Sequence, residues 1–187
     1  MADAGQVKTD ELDPQAEARR RLALAQIRQY PDPVLRMQAR DVDAFDEDLS
    51  RLVQRMTRLM TDANGVGLAA TQVGVLQRVF VFRNRDEDEA HVAVNPRIVE
   101  RGGEKEVDEE GCLSLQGVLV PVERHARVTL EAQDGSGKDV RFELDELAAR
   151  VAQHELDHLD GVLILDRTTD ESRREALAVL RPRVALA

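Results

Sequence analysis

The amino-acid sequence predicts an α+β fold, in which mostly antiparallel β-sheets pack around a central helix. A further helix is expected in the N-terminal half and another at the C-terminus. Two long stretches carry apolar residues at helical spacing, and short β-rich runs separated by glycine turns fill the middle of the chain. The 187 residues fit a single domain with a sizeable core.

The N-terminal part of the chain predicts two regions. Residues 1–25 are polar and rich in Ala, Arg and Glu, which indicates a flexible or partly helical extension. Residues 26–187 then form the one domain. After a proline-containing turn near Tyr30, an amphipathic helix is expected to begin at the N-cap Asp46 and to end by Asn64-Gly65.

The middle of the chain predicts a series of short strands separated by turns. The expected strands are residues 78–83, 91–95, 98–100, 118–122, 127–133 and 140–144. An acidic loop at residues 85–89, a turn at Gly102-Gly103 and a turn at residues 134–137 separate them.

Two helices are expected to follow the strands. Asp145 can cap the first of them, which Gly161 ends. Thr168-x-x-Glu171 is a capping box that opens the C-terminal helix, and this helix stops before Pro182.

Composition excludes several classes of function. The net charge of −10 argues against broad nucleic-acid binding and against binding to anionic membranes. No apolar run approaches the roughly 18 residues that a membrane-spanning helix needs. The single cysteine has no internal disulfide partner, so a reducing compartment, the cytoplasm, is expected. Basic residues near the C-terminus form a local patch, or simply a solvated helix face: Arg173, Arg174, Arg181 and Arg183.

The segment from His154 to His158 has the sequence H-E-x-x-H. On a helix, residues four apart share a face, so both imidazoles can bind one metal ion. Glu155 stands beside the first ligand and could take a proton from a metal-bound water. Because Leu147 and Val151 share this face, the histidines extend an apolar stripe and should point inward.

Cys112 lies within the sequence E-G-C-L-S. With His154 and His158 it would make a three-ligand site that leaves one position open, as catalytic metals require. The alternative is that Cys112 is a small buried apolar residue. The other histidines, His91 and His125, lack ligand spacing.

A glycine-containing segment runs from Gly65 to Gln72. It matches the G-x-G-x-x-A pattern of dinucleotide-binding folds, but here a helix is expected before it and a strand after it, which is the wrong context. The segment favours a loop that lets a ligand approach the backbone, with Gln72 as an amide donor. A purely structural loop is the alternative.

Together these segments read G-x-G-x-A-A-x-Q, E-G-C-x-S and H-E-x-D-H in that order. Through these three motifs, the chain from about Tyr30 to the C-terminal helix resembles peptide deformylase. The resemblance implies that Cys112, His154 and His158 bind one divalent metal. Fe²⁺ would be the native ion, and Zn²⁺, Ni²⁺ or Co²⁺ could occupy the site. Imidazole and thiolate ligands agree with this choice of ions.

The resemblance also implies an activity. The N-formyl group would be hydrolysed from N-formylmethionine at the start of nascent polypeptides by a metal-bound hydroxide. Glu155 would act first as general base and then as general acid. The side-chain amide of Gln72 and the backbone N–H of Leu113 would hold the oxyanion together with the metal.

Substrate-binding residues are expected around the same site. Val66, Leu147 and Val151 are the candidate wall for the methionine side chain, although they could equally be plain core. Gly67 and the strand at 107–110 could pair with an extended substrate chain. Glu110 could orient a metal ligand or the substrate amine.

Three further hypotheses stay open at this point. A thermolysin-like peptidase would take its third ligand from Glu171 or Glu175, but this leaves Cys112 and Gln72 without a role. A protein that binds N-termini without turnover would hold a structural metal, yet such sites usually have four protein ligands. The C-terminal helix could also contact the ribosome.

Overall fold

Five antiparallel strands form one sheet, in which neighbours along the chain are also neighbours in space. The structure is a computed structural model that describes residues 13–83 and 89–181. The strands are β1 (Gly67–Ala69), β2 (Val79–Phe82), β3 (His91–Gly111), β4 (Leu119–Gln133) and β5 (Asp139–Asp145). The helices are α1 (Pro14–Leu24), α2 (Glu47–Asp62), α3 (Glu146–Leu159), α4 (Ile164–Arg167) and α5 (Asp170–Leu180). The predicted α+β class is confirmed.

Some predicted segments lie partly outside the described residues. These are residues 1–12 of the N-terminal extension, most of the acidic loop at 85–89, and the chain from Pro182 onward, which includes Arg183. Within the described residues, no helix is long and apolar enough to span a bilayer.

Helix α1 occupies the second half of the predicted extension. Asp13 caps it by accepting hydrogen bonds from the N–H groups of Gln15 and Ala16, at 2.8 and 3.0 Å. Its last residues, Ala23 and Leu24, are buried in the same cluster as α2. The extension therefore meets the core at its end, and the boundary near residue 25 stays a prediction.

Helix α2 begins as predicted. The Asp46 side chain accepts a hydrogen bond from the Leu49 N–H at 3.1 Å, which satisfies one of the free donors of the first turn. The buried face of α2 packs on strands β1 and β2. It consists of Leu49, Met56, Leu59 and Met60.

The predicted turn at Gly102-Gly103 is wrong. Strand β3 continues through this point and pairs with β4 from Val94 to Gly111. The register shifts between Gly102 and Lys105, and Gly103 has φ +72°. Glycine accepts this left-handed conformation, so the extra residue forms a bulge and the strand does not reverse. The strands expected at 118–122 and 127–133 are likewise one continuous strand, β4.

Helix α3 begins and ends where the sequence predicts, but its cap differs. Asp145 holds the N-cap position, yet its side chain accepts no hydrogen bond from the first turn. Gly161, with φ +73°, follows the end of the helix. One face of α3 is buried against the sheet and contains Ala149, Ala152 and Leu159.

The predicted capping box of the C-terminal helix is displaced by one residue. Thr169, and not Thr168, is the N-cap, and its hydroxyl accepts a hydrogen bond from the Ser172 N–H at 3.2 Å. Thr168 is instead the residue that ends α4. Helix α5 stops at Leu180, before Pro182, as expected.

Gly161 generates the first prediction. A Cβ at this position would lie 2.6 Å from the Arg36 carbonyl oxygen, in a left-handed backbone conformation. We expect Gly161→Ala to lower the free energy of unfolding by about 1–3 kcal/mol. Gly135→Ala is the control, because a Cβ there meets no atom within 4 Å. Urea unfolding at equal metal loading measures the stability of both variants. Equal unfolding midpoints for Gly161→Ala and Gly135→Ala would contradict the prediction.

Candidate active site

Three buried or nearly buried side chains converge between the end of β3 and α3. The ligand atoms of Cys112, His154 and His158 all lie within 4.8 Å of one another. Cys112 Sγ is 3.2 Å from His158 Nε2. The two imidazole rings, one helical turn apart, have centroids separated by 4.9 Å. The structure therefore brings together the three residues that the sequence analysis proposed as metal ligands.

The donor set fits a divalent transition metal. A thiolate and two imidazoles suit Fe, Ni, Co or Zn, and disfavour Mg²⁺ and Ca²⁺, which prefer oxygen ligands. Burial, followed by the charge of His154, holds the pKa of His158 well below its usual value. The neutral form of the ring is the one that binds metal.

His154 is oriented by a buried carboxylate. Its Nδ1 lies 3.0 Å from Glu110 Oε2. Burial alone would raise the pKa of Glu110, but hydrogen bonds from His154 and Arg124 outweigh it and hold the pKa well below the usual value. Because the ionised carboxylate only accepts, His154 Nδ1–H is the donor, and Nε2 can bind a metal.

Arginines complete the surroundings of Glu110, which has no exposed surface. Arg124 on β4 donates from Nε to Oε1 at 2.9 Å and from Nη2 to Oε2 at 3.0 Å. Arg150 on α3 donates from Nη1 to Oε1 at 2.8 Å. Every oxygen of the Glu110 side chain is thus held by protein groups. Glu110 is therefore placed to orient His154, and its two oxygens already accept four hydrogen bonds from protein donors.

Glu155 is buried beside the three ligand residues. Its Oε2 has no hydrogen-bond partner within the described residues. Burial raises the pKa of Glu155 to about 7. A Cβ at position 67 would lie 2.3 Å from Oε1, so the carboxylate depends on Gly67 for its place. Such a group can both accept and return a proton near neutral pH.

Gln72 presents its amide N–H₂ to the same site. Its Oε1 accepts a hydrogen bond from the Ala69 N–H at 2.8 Å. Its Nε2 donates to Ser114 Oγ at 3.1 Å and contacts Cys112 Sγ at 3.6 Å. The hydrogen bond from the Ala69 N–H identifies the amide oxygen of Gln72. The amide nitrogen is therefore the atom that faces Cys112, and it can act as a donor there.

Leu113 follows Cys112 directly in the chain and is buried. Its carbonyl accepts a hydrogen bond from Gln29 Nε2 at 3.0 Å. Its N–H finds no acceptor within the described residues. This leaves a backbone donor next to Cys112.

A pocket opens beside these groups, and the structure places most of the predicted substrate-binding residues in its lining. Val66, Gly67, Glu110 and Val151 line it. Leu147 does not, because it lies in the first turn of α3 and packs on the core cluster that contains Phe80 and Phe82. Arg150 lines the pocket but was missed from the sequence, although its position one turn before His154 was a usable signal.

Comparison with known proteins identifies the family. Residues 24–174, more than half of the chain, match the family model of polypeptide deformylase. The chain belongs to this family. A peptide deformylase from Dictyoglomus thermophilum is 46% identical over 149 residues, which cover 80% of this chain and 95% of the relative. One from Thermotoga maritima is 49% identical over 148 residues, covering 79% and 88%.

Solved structures agree with this membership. The crystal structure of a peptide deformylase from Legionella pneumophila has a TM-score of 0.79 against this chain at 41% identity, covering 82% of this chain and 91% of that one. The resemblance to peptide deformylase is therefore confirmed, and the chain is an enzyme of a metalloenzyme family.

The peptidase alternative finds no support in the geometry. Glu171 and Glu175 are exposed on α5, and neither belongs to the cluster of potential ligands. The cluster contains Cys112 in addition to the two histidines.

Metal content tests this assignment. We expect Cys112→Ala to lose bound Ni²⁺ after gel filtration, because two imidazoles alone hold the ion weakly, whereas Glu175→Ala should retain it. Elemental analysis of both folded variants gives the comparison. A Cys112→Ala protein that keeps its metal, next to a Glu175→Ala protein that loses it, would instead favour the peptidase site.

Proposed function

We propose that this chain removes the N-formyl group from N-formylmethionine at the start of newly made polypeptides. The products are formate and a peptide with a free N-terminal methionine. One observation carries the proposal beyond family membership: Glu155 is buried beside Cys112, His154 and His158 and lines the adjoining pocket. A structural metal site would not need a proton acceptor in this place.

The cofactor is proposed to be one divalent metal, natively Fe²⁺, with Zn²⁺, Ni²⁺ or Co²⁺ able to replace it. Cys112, His154 and His158 would hold the ion. When bound, it supplies a Lewis acid that acidifies water and polarises the formyl oxygen.

Glu155 moves the proton. It accepts a proton from the water that attacks the formyl carbon, and it delivers this proton to the amine nitrogen when the C–N bond breaks. A pKa of about 7 suits both steps, because the protonated and the ionised carboxyl are then similar in free energy near neutral pH. Because the side chain is buried, bulk water does not compete with it for the proton.

Two donors stabilise the oxyanion in this proposal. The side-chain amide of Gln72 is held in its orientation by Ala69 and Ser114, and the backbone N–H of Leu113 has no other acceptor within the described residues. Donors that are placed in advance do not have to reorganise during the reaction, and losing one typically costs about 2.7–4 kcal/mol.

The bound substrate is proposed to make two sets of contacts, one through its methionine side chain and one through its main chain. Val66 and Val151 form a wall for the methionine side chain, and the aliphatic stem of Arg150 adds to it. The extended peptide would pair with β3 near residues 107–110, since β2 pairs only with residues 91–94 and no described strand covers this edge further on.

Ribosome contact through α5 is a further proposal. Ala176 is buried and holds the helix to the core, while Arg174 is exposed and free to meet RNA phosphates. We expect Arg174→Glu to reduce co-sedimentation with ribosomes at low salt without changing the thermal midpoint. Unchanged co-sedimentation would count against the contact. A cytoplasmic location, expected from the single cysteine, is part of the same proposal.

The central test replaces the proton carrier. Glu155→Gln keeps the size of the side chain but cannot accept the proton, so we expect the protein to retain Ni²⁺ and to lose about 10²–10⁴-fold in turnover. Formate release from a short formyl-Met peptide measures the rate, and Glu171→Gln on the exposed face of α5 is the matched control.

The outcomes separate the alternatives. An unchanged rate in Glu155→Gln would remove Glu155 from the mechanism. No formate from a folded, nickel-loaded parent protein would favour a protein that binds N-termini without turnover.

A further inference from the structure

Asp157 lies in the catalytic helix but has no part in the chemistry described above. It is buried on α3, between the ligands His154 and His158. Its carboxylate accepts from Arg124 Nη1 at 2.5 Å. It also accepts from Arg167 of α4, through Nε at 3.0 Å and Nη2 at 2.6 Å. Three charge-assisted hydrogen bonds therefore converge on a carboxylate that makes no hydrogen bond to either imidazole.

Arg124 joins this carboxylate to the one that orients His154. Its Nε and Nη2 bind Glu110 and its Nη1 binds Asp157. All three guanidinium nitrogens are thus committed, and the side chain is only 6% exposed. Because the guanidinium is planar and rigid, its orientation toward one carboxylate determines its orientation toward the other.

The two oxygens of Glu110 are not held equally. Oε1 receives hydrogen bonds from both Arg124 and Arg150. Oε2, the oxygen that accepts from His154, is otherwise held by Arg124 alone. Arg150 is also fixed independently, through the carbonyl oxygens of Val122 and Glu106, both at 2.9 Å. Loss of Asp157 would therefore loosen the oxygen that orients His154, while Arg150 keeps the other in place.

We propose that Asp157 is a positioning residue that fixes the ring of His154 through Arg124 and Glu110. The chain of contacts is Asp157–Arg124–Glu110–His154, and each link is a charge-assisted hydrogen bond. Arg167 anchors the outer end of this chain from α4. The role of His154 as a ligand rests on the proposed function, whereas the orientation of its ring does not.

The first experiment reads the ring directly in the metal-free protein. The Nδ1 proton of His154, hydrogen-bonded to a carboxylate, should give a low-field proton NMR signal, assigned by its loss in Glu110→Ala. We expect Asp157→Asn to shift this signal upfield and to speed its exchange with water. Asp160→Asn is the control, because it removes an ion pair with Arg78 at the end of the same helix without touching the chain of contacts. The His154 signal of the Asp160→Asn variant should match that of the parent protein.

The second experiment measures affinity for Co²⁺ by competition with a chelator. Changes around a ligating histidine typically weaken metal binding about 10–100-fold, so we expect a weakening of about 10-fold for Asp157→Asn and none for Asp160→Asn. In the double variant Asp157→Asn, Glu110→Gln, the substitution of Asp157 should weaken Co²⁺ binding little beyond the effect of Glu110→Gln alone. Full multiplicative effects, or an unchanged NMR signal in Asp157→Asn, would overturn the proposal.

A surface variant keeps the proposal testable if Asp157→Asn does not fold. Arg167 is nearly half exposed, and Arg167→Gln removes two of the three hydrogen bonds to Asp157. We expect the His154 Nδ1 proton signal to shift upfield, by less than in Asp157→Asn. An unchanged signal would overturn the proposal. Absence of formate release by the parent would defeat the proposed function but would leave these NMR results unchanged, so the two failures are distinguishable.

Discussion

The buried carboxylate of Glu110 is the constraint on which the rest of the site depends. An ionised group without exposed surface is costly unless several charged donors surround it, and these donors come from two different elements. Arg124 belongs to β4, whereas Arg150 and His154 belong to α3. To satisfy one carboxylate, the end of β3, strand β4 and helix α3 must meet in a single arrangement. Cys112, two residues after Glu110, is brought to the helix by the same arrangement.

Close backbone approach is the second requirement of the site. The start of strand β1 runs directly past Glu155, and only a residue without a side chain fits there, which is why Gly67 stands at this point. The same short segment continues into Gln72, whose amide is oriented by the Ala69 N–H. One stretch of chain thus places a donor and leaves room for a proton carrier.

The helices and the clustering of the two histidines could be predicted from sequence because their signals are local. Asp46 caps α2 as expected, and the spacing of His154 and His158 places both on one face. The turn expected at Gly102-Gly103 was wrong because a glycine pair permits either a reversal or a bulge, and the distant pairing with β4 decides between them. Arg124 and Arg150 were missed because a charged residue is normally exposed. Their burial depends on a carboxylate that is remote in the sequence.

Strand β3 extends well beyond the four residues that pair with β2, so one of its edges is uncovered by any described strand. An uncovered edge is a template on which copies of a protein can assemble into aggregates. Here five of the six residues from 104 to 109 are charged, four of them acidic. Two copies that met along this edge would bring acidic side chains together, in a molecule that already carries a net charge of −10. The edge is thereby protected against self-association, and it stays available to a short extended chain that carries no such charges.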